Sequence, residues 1–151
     1  MPKNERAINI ISRKVIQQKT TPQVMADGVE ADVVFTDADT IDVGDWHNPG
    51  VNPQNFVVPA GHQGAYEIRF GAQFAAGAGL CTVYVRVNGN GIFTPVSCLG
   101  AAAIGANATF NGLVNLQAGD IITCRATQTG VVAGLNLTGV LAIIKIANVI
   151  T

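Results

Sequence analysis

Charge is scarce in this chain: ten acidic and nine basic residues make up 13% of its 151 positions, while 48% are apolar. Disordered chains and bundles of charged surface helices both need more charge than this, so both classes are excluded. Histidine is scarcer still, with His47 and His62 alone and no His-x-His pair, so a histidine-ligated metal enzyme lacks its ligand set. Cys81, Cys98 and Cys124 are odd in number, lack metal-ligand spacing and sit in apolar runs. They read as buried free thiols of a protein folded in a reducing interior, not as a disulfide framework. Long apolar runs are missing too. The stretch Gly139 to Ile150 is broken by Lys145 and is far shorter than the ~20 residues that span a bilayer. Charges at positions 3, 5, 6, 13 and 14 leave no room for the apolar centre of a leader. The expectation is a soluble chain of one domain, long enough to bury roughly 70% of its unfolded surface, with no membrane partner.

What is present is alternation. From Ala65 to Phe74, Tyr66, Ile68, Phe70, Ala72 and Phe74 share one face while Glu67, Arg69 and Gln73 share the other, the period of a half-buried strand. Val83, Val85 and Val87 alternate with Thr82, Tyr84 and Arg86 up to Asn88-Gly89-Asn90-Gly91, residues that tolerate positive φ in tight turns. Ile92 to Cys98 then returns as the hairpin partner. Thr109 to Leu116 and Ile121 to Thr127 flank the turn Gln117-Ala118-Gly119-Asp120, where Gly119 supplies the conformation and Asp120 bonds nearby amides. Ala31 to Thr36 and Gln54 to Val58 are short strands around a polar loop, Asp37 to Pro53, and Ile8 to Gln18 is a strand or an extended arm. Thr138 to Ile146 is nearly continuous in apolar residues, so both its faces need cover, which suggests a subunit contact. Helical periodicity is weak throughout. The pattern predicts an all-β sandwich or barrel of eight to ten short strands.

Five of the nine basic residues, Lys3, Arg6, Arg13, Lys14 and Lys19, lie in the first nineteen positions, where Glu5 is the one acid. Four bases against nine acids follow. The chain therefore divides into a basic arm, residues 1–23, and a body, residues 24–151. The arm reads as an anchor on an acidic protein surface, with nucleic acid the less favoured partner. Asp37, Asp39, Asp42 and Asp45 do not fit an EF-hand and read as a solvated acidic loop, so no metal or other cofactor is expected. In the same loop, Trp46 beside His47 is either an aromatic platform for a sugar or partner surface, or an indole folded back over the sandwich edge.

Taken in order, five marks span residues 31 to 146. They are VVFT before an Asp-rich loop carrying Trp46-His47-Asn48-Pro49; Pro59, Gly64 and Tyr66 leading into a long strand; TVYVRVNG; VNLQAGDII; and VLAIIKI. With these the sequence resembles the tumour-necrosis-factor and complement-globular-head jelly roll, in the version common in bacteriophage structural proteins. Ala60-Gly61-His62-Gln63 stretches one corner relative to that pattern. The resemblance implies a two-sheet jelly-roll sandwich that assembles as a homotrimer with one sheet toward the threefold axis. It implies a trimer interface at Tyr66, Ile68, Phe70, Val114, Leu141 and Ile143. It further implies a non-enzymatic virion protein, folded in the host cytoplasm, that decorates and cements the capsid exterior through the major capsid protein or another virion protein. The alternative is the receptor-binding tip of a head or tail fibre, touching the host surface through the loops around Trp46, His47 and Gly100.

Overall fold

Alternating burial runs along the long strands of the computed structural model, which describes residues 12–77, 79–92, 94–100, 105–131 and 133–147. Eleven strands occur among these residues: β1 Ser12–Met25, β2 Ala31–Asp32, β3 Ile41–Asp42, β4 Asn55–Val57, β5 Gly64–Phe74, β6 Leu80–Val87, β7 Asn90–Gly91, β8 Val96–Leu99, β9 Ala106–Leu116, β10 Ile121–Thr129 and β11 Leu135–Ala147. None of the described residues is helical. One sheet has the order β3-β1-β11-β5-β9; the other has the order β2-β10-β6-β7, with β4 also on β10 and β8 also on β6. Every pairing between strands is antiparallel.

The larger alternating face of each strand turns inward. Tyr66, Ile68, Phe70 and Phe74 of β5, Leu141 and Ile143 of β11, Val83 of β6 and Ile122 and Cys124 of β10 are all fully buried in one core. Each large apolar side chain there contributes roughly 1.5–3 kcal/mol by leaving water. Phe35 bridges the layers, with ring centroids 5.3 Å from Phe56 and 6.3 Å from Phe70, both edge-on.

Turn chemistry follows the sequence. Asn88 and Gly89, at φ 52° and 78°, close the two-residue loop between the paired Val87 and Asn90. Gly119 takes φ 88°, and Asp120 accepts from the Gln117 amide at 2.7 Å and the Asn88 side-chain amide at 2.8 Å. The Ala-Gly-Asp interruption is thus a turn docked on the neighbouring hairpin.

Three expectations change. The boundary at residue 23 falls inside β1, which pairs with β11 from Ser12 to Met25, so of the two readings of this stretch the strand holds for residues 12–23 and extends past the boundary. The strand expected at 31–36 shortens to Ala31–Asp32: the Val33 amide still bonds the Cys124 carbonyl of β10, but the Phe35 amide turns to the Pro53 carbonyl of a loop. The return strand expected at 92–98 instead begins as the two-residue β7, Asn90–Gly91, and resumes as β8 at Val96–Leu99, with Phe93 outside the described residues.

β1 itself is irregular. Lys19 pairs with Gly139 and Gln23 with Leu137, so β1 takes four steps where β11 takes two. Thr20, Thr21 and Pro22 thus stand opposite Thr138 alone, and a proline, lacking its N–H, suits such a bulge.

Candidate functional site

The acidic loop after β2 is tied down by its own carboxylates. Asp37 accepts from the Thr20 and Thr21 amides at 2.6 and 3.1 Å and from the Thr21 hydroxyl at 2.6 Å, so it partners the amides that the β1 bulge releases. Those bonds, the Thr21 hydroxyl first, hold its pKa down at about 2. Asp42 accepts from the Trp46 and His47 amides at 2.8 and 2.9 Å. His47 Nδ1 lies 2.7 Å from Asp39 Oδ1 and its Nε2 lies 3.0 Å from the Pro53 carbonyl. The imidazole stacks on Phe56 at 4.3 Å. No three His, Cys, Asp or Glu side chains among the described residues are placed to hold a metal ion.

Trp46 and His47 do not form a surface platform. Trp46 is 1% exposed, its ring edge-on to Tyr66 at 5.3 Å and to His62 at 6.0 Å, and its Nε1 donates to the Val43 carbonyl at 3.2 Å. His47 is 7% exposed. Asp42 clasps the two successive amides, which turns both rings inward onto Phe56 and Tyr66 and overturns the binding-loop reading of these residues. Beneath Trp46, the Tyr66 hydroxyl donates to the His62 carbonyl, and burial raises its pKa to about 12.

The basic residues are dispersed by the same folding. Lys3 and Arg6 lie outside the described residues, and Arg13, the second residue of β1, pairs with Ile144. Lys14 is half-buried on β1. Lys19 is no anchor: it is 3% exposed and its Nζ donates to the Val34 carbonyl at 2.6 Å. Burial lowers its pKa, with Asp37 opposing that shift. At the end of the sandwich where Ser12 faces Lys145, the Lys145 ammonium donates to the Gln63 carbonyl at 3.2 Å and sits 5.8 Å from the Tyr66 ring centroid. Burial, and then Lys14, lower its pKa. This pole is where the chain before Ser12 joins the fold.

The interface residues expected on the β1-containing sheet point the wrong way. Tyr66, Ile68, Phe70, Leu141 and Ile143 are fully buried inside a single chain, and Val114 is half-buried against the same core. Alternation leaves the other face outward: Ile16 on β1, Val140, Ala142 and Ile144 on β11, and Leu113 on β9. Val140 is 44% and Leu113 65% exposed. Across β5, β9 and Thr138–Ile144 of β11 the charges are Glu67 and Arg69, which pair at 2.9 Å. A groove of about 390 Å³ crosses this face, lined by Gln18, Gly71, Gln73, Asn107, Thr109 and Val140 among others. Sequence parity placed the alternating residues correctly but gave the partner the face that the core takes. The missed signal was bulk, because the face carrying Tyr66, Ile68 and Phe70 outweighs the one carrying Ala65, Glu67 and Gly71.

On the opposite sheet, Glu30 receives Arg86 and Arg125 at 2.7 Å each, and Arg125 Nε lies 2.9 Å from Asp32. These half-exposed pairs join β2 and the loop before it to β6 and β10 and offer no nucleophile.

Comparison with known proteins agrees with this architecture. No protein-family model and no curated protein matches the sequence. Among solved structures, the chain is similar to the globular domain of zebrafish complement 1qA protein, with a TM-score of 0.68 at 12% identity, over 91% of this chain and 99% of that one. It is also similar to murine APRIL at pH 8.5, with a TM-score of 0.55 at 15% identity, over 85% of this chain and 98% of that one. Murine APRIL at pH 5.0 gives a TM-score of 0.52 at 16% identity over the same shares. The fold is therefore the tumour-necrosis-factor-like jelly roll.

Proposed function

We propose that this chain is a non-enzymatic structural module that forms a homotrimer through the outward face of the β1-containing sheet. In this reading it decorates and cements the exterior of a bacteriophage capsid, tethered by the basic residues before β1. The observation that carries the reading is that outward face, where long strands present Ile16, Leu113, Val140 and Ile144 with one self-paired ion pair between them. Across β5, β9 and Thr138–Ile144 this partly apolar face carries no unpaired charge and calls for cover, and a second and third copy offer the same chemistry. Cementing needs no covalent step: three tethers on one knob convert weak contacts with an acidic capsid surface into avid binding. Lys3 and Arg6 precede β1 in sequence, and Lys14 and Lys145 add positive charge at the pole where β1 begins. The receptor-binding alternative loses one of its two contact loops, since Trp46 and His47 are buried, and keeps only the loop around Gly100.

The test is co-sedimentation with purified capsid shells, using the full chain and a chain that begins at Ser12, after light scattering has fixed the oligomer mass. Binding of the full trimer, lost or cut at least tenfold without residues 1–11 and weakened by salt, is the expected result. A trimer that ignores shells but binds host cells would replace this reading with the receptor-binding one, and a stable monomer would remove both.

A further inference from the structure

Two of the three thiols meet across a pair of strands. Register places Cys81 of β6 directly opposite Cys98 of β8, between the pairs Leu80 with Leu99 and Thr82 with Ser97. Opposed residues of an antiparallel ladder have Cα atoms about 4.5–5.5 Å apart, inside the ~4.4–6.8 Å range that a disulfide spans. Both sulfurs are free. Cys124 is a fully buried thiol of β10, paired in register with Val85 rather than with either cysteine.

We propose that Cys81 and Cys98 are an oxidisable pair that closes into an intrachain disulfide when the folded protein meets a disulfide oxidant, fastening the edge strand β8 to β6. The strand needs a fastener. β8 has four residues, β6 is its partner in the ladder, and Leu99 is 81% exposed at its end. A short edge strand held on one side opens readily and offers its free backbone to other chains.

The chemistry is thiol–disulfide exchange. Cys98 is half-buried, whereas Cys81 is fully buried and its pKa is raised to about 11, chiefly by desolvation. Cys98 is therefore the entry point: its thiolate attacks one sulfur of a small disulfide such as oxidised glutathione and expels one glutathione thiolate. The Cys81 thiolate then attacks the Cys98 sulfur of the mixed disulfide and expels the second. Two cysteine thiols and one disulfide become one protein disulfide and two glutathione thiols, so electrons and protons balance. Scarce thiolate makes the closure slow at neutral pH and faster as pH rises.

The experiment treats the full folded chain with oxidised glutathione, alkylates the remaining thiols under denaturing conditions and maps peptides after cleavage at Phe110, which separates Cys98 from Cys124. Expected are a mass loss of about 2 Da before alkylation, a Cys81–Cys98 linked peptide, and a rise in Tm of roughly 5–10 °C that a reductant reverses. The variant Cys98→Ser, at a half-buried position, should fold and show neither link nor shift. A persistent glutathione adduct on Cys98, a link that includes Cys124, a purely intermolecular link, or unchanged mass would each overturn the proposal.

Discussion

Carboxylates in the loop after β2 hold backbone amides two at a time. Asp42 clasps Trp46 and His47, while Asp37 clasps Thr20 and Thr21, which the β1 bulge has taken out of the ladder. A cluster of four acids that reads as solvated in sequence is therefore partly structural, because its partners are amides and a backbone kink, neither of which a side-chain pattern records. Asp37 also sets a pH dependence. Its folded pKa of about 2 is below the ordinary 3.8, so its contribution is complete above that value and is lost as pH falls through the folded one. Asp37→Ala should lower stability by about 1 kcal/mol at pH 6, the exposed position keeping the figure small. Urea midpoints of the two proteins should converge between about pH 4 and pH 2. A gap that is absent at pH 6, or that persists undiminished at pH 2, contradicts this.

Between elements, β11 and β5 approach closely where a side chain is missing. A Cβ on Gly139 would lie 2.6 Å from the Gly71 carbonyl oxygen, whereas one on Gly71 would meet Thr109 Oγ1 at an ordinary 3.7 Å. The two glycines thus play different parts in adjoining strands. Gly139→Val should cost about 2–3 kcal/mol by prising β11 from β5, while Gly71→Ala should stay within about 1 kcal/mol of the parent. Thermal and urea unfolding of the two variants side by side checks the contrast, and equal losses would refute it. The same strands show what alternation reveals in a sequence and what it omits. The period-two runs 65–74, 109–116 and 121–127 all lie within β5, β9 and β10, and Asn88-Gly89 makes its tight turn. The bulge in β1, the loop partner of Phe35 and the pairing of Cys81 with Cys98 depend on residues distant in sequence, and no local pattern carries register between strands.

At the scale of the whole molecule, one sheet face decides whether the chain works alone. In the separate chain Val140 lies on that face beside the groove, 44% exposed, where a carboxylate would remain hydrated. In a trimer built on this face the same carboxylate would be driven into a dehydrated contact without a cation to meet it, since the nearby charges Glu67 and Arg69 already neutralise each other. Val140→Glu should therefore leave the β-sheet circular dichroism unchanged and convert trimers to monomers at micromolar concentration, read by sedimentation equilibrium. Mass action adds a second readout. The parent Tm should rise with protein concentration because assembly stabilises only the folded chain, and the variant Tm should not. A variant that stays trimeric would move the interface to another face. One that unfolds at every concentration would mean that Val140 supports the single chain, against its exposure.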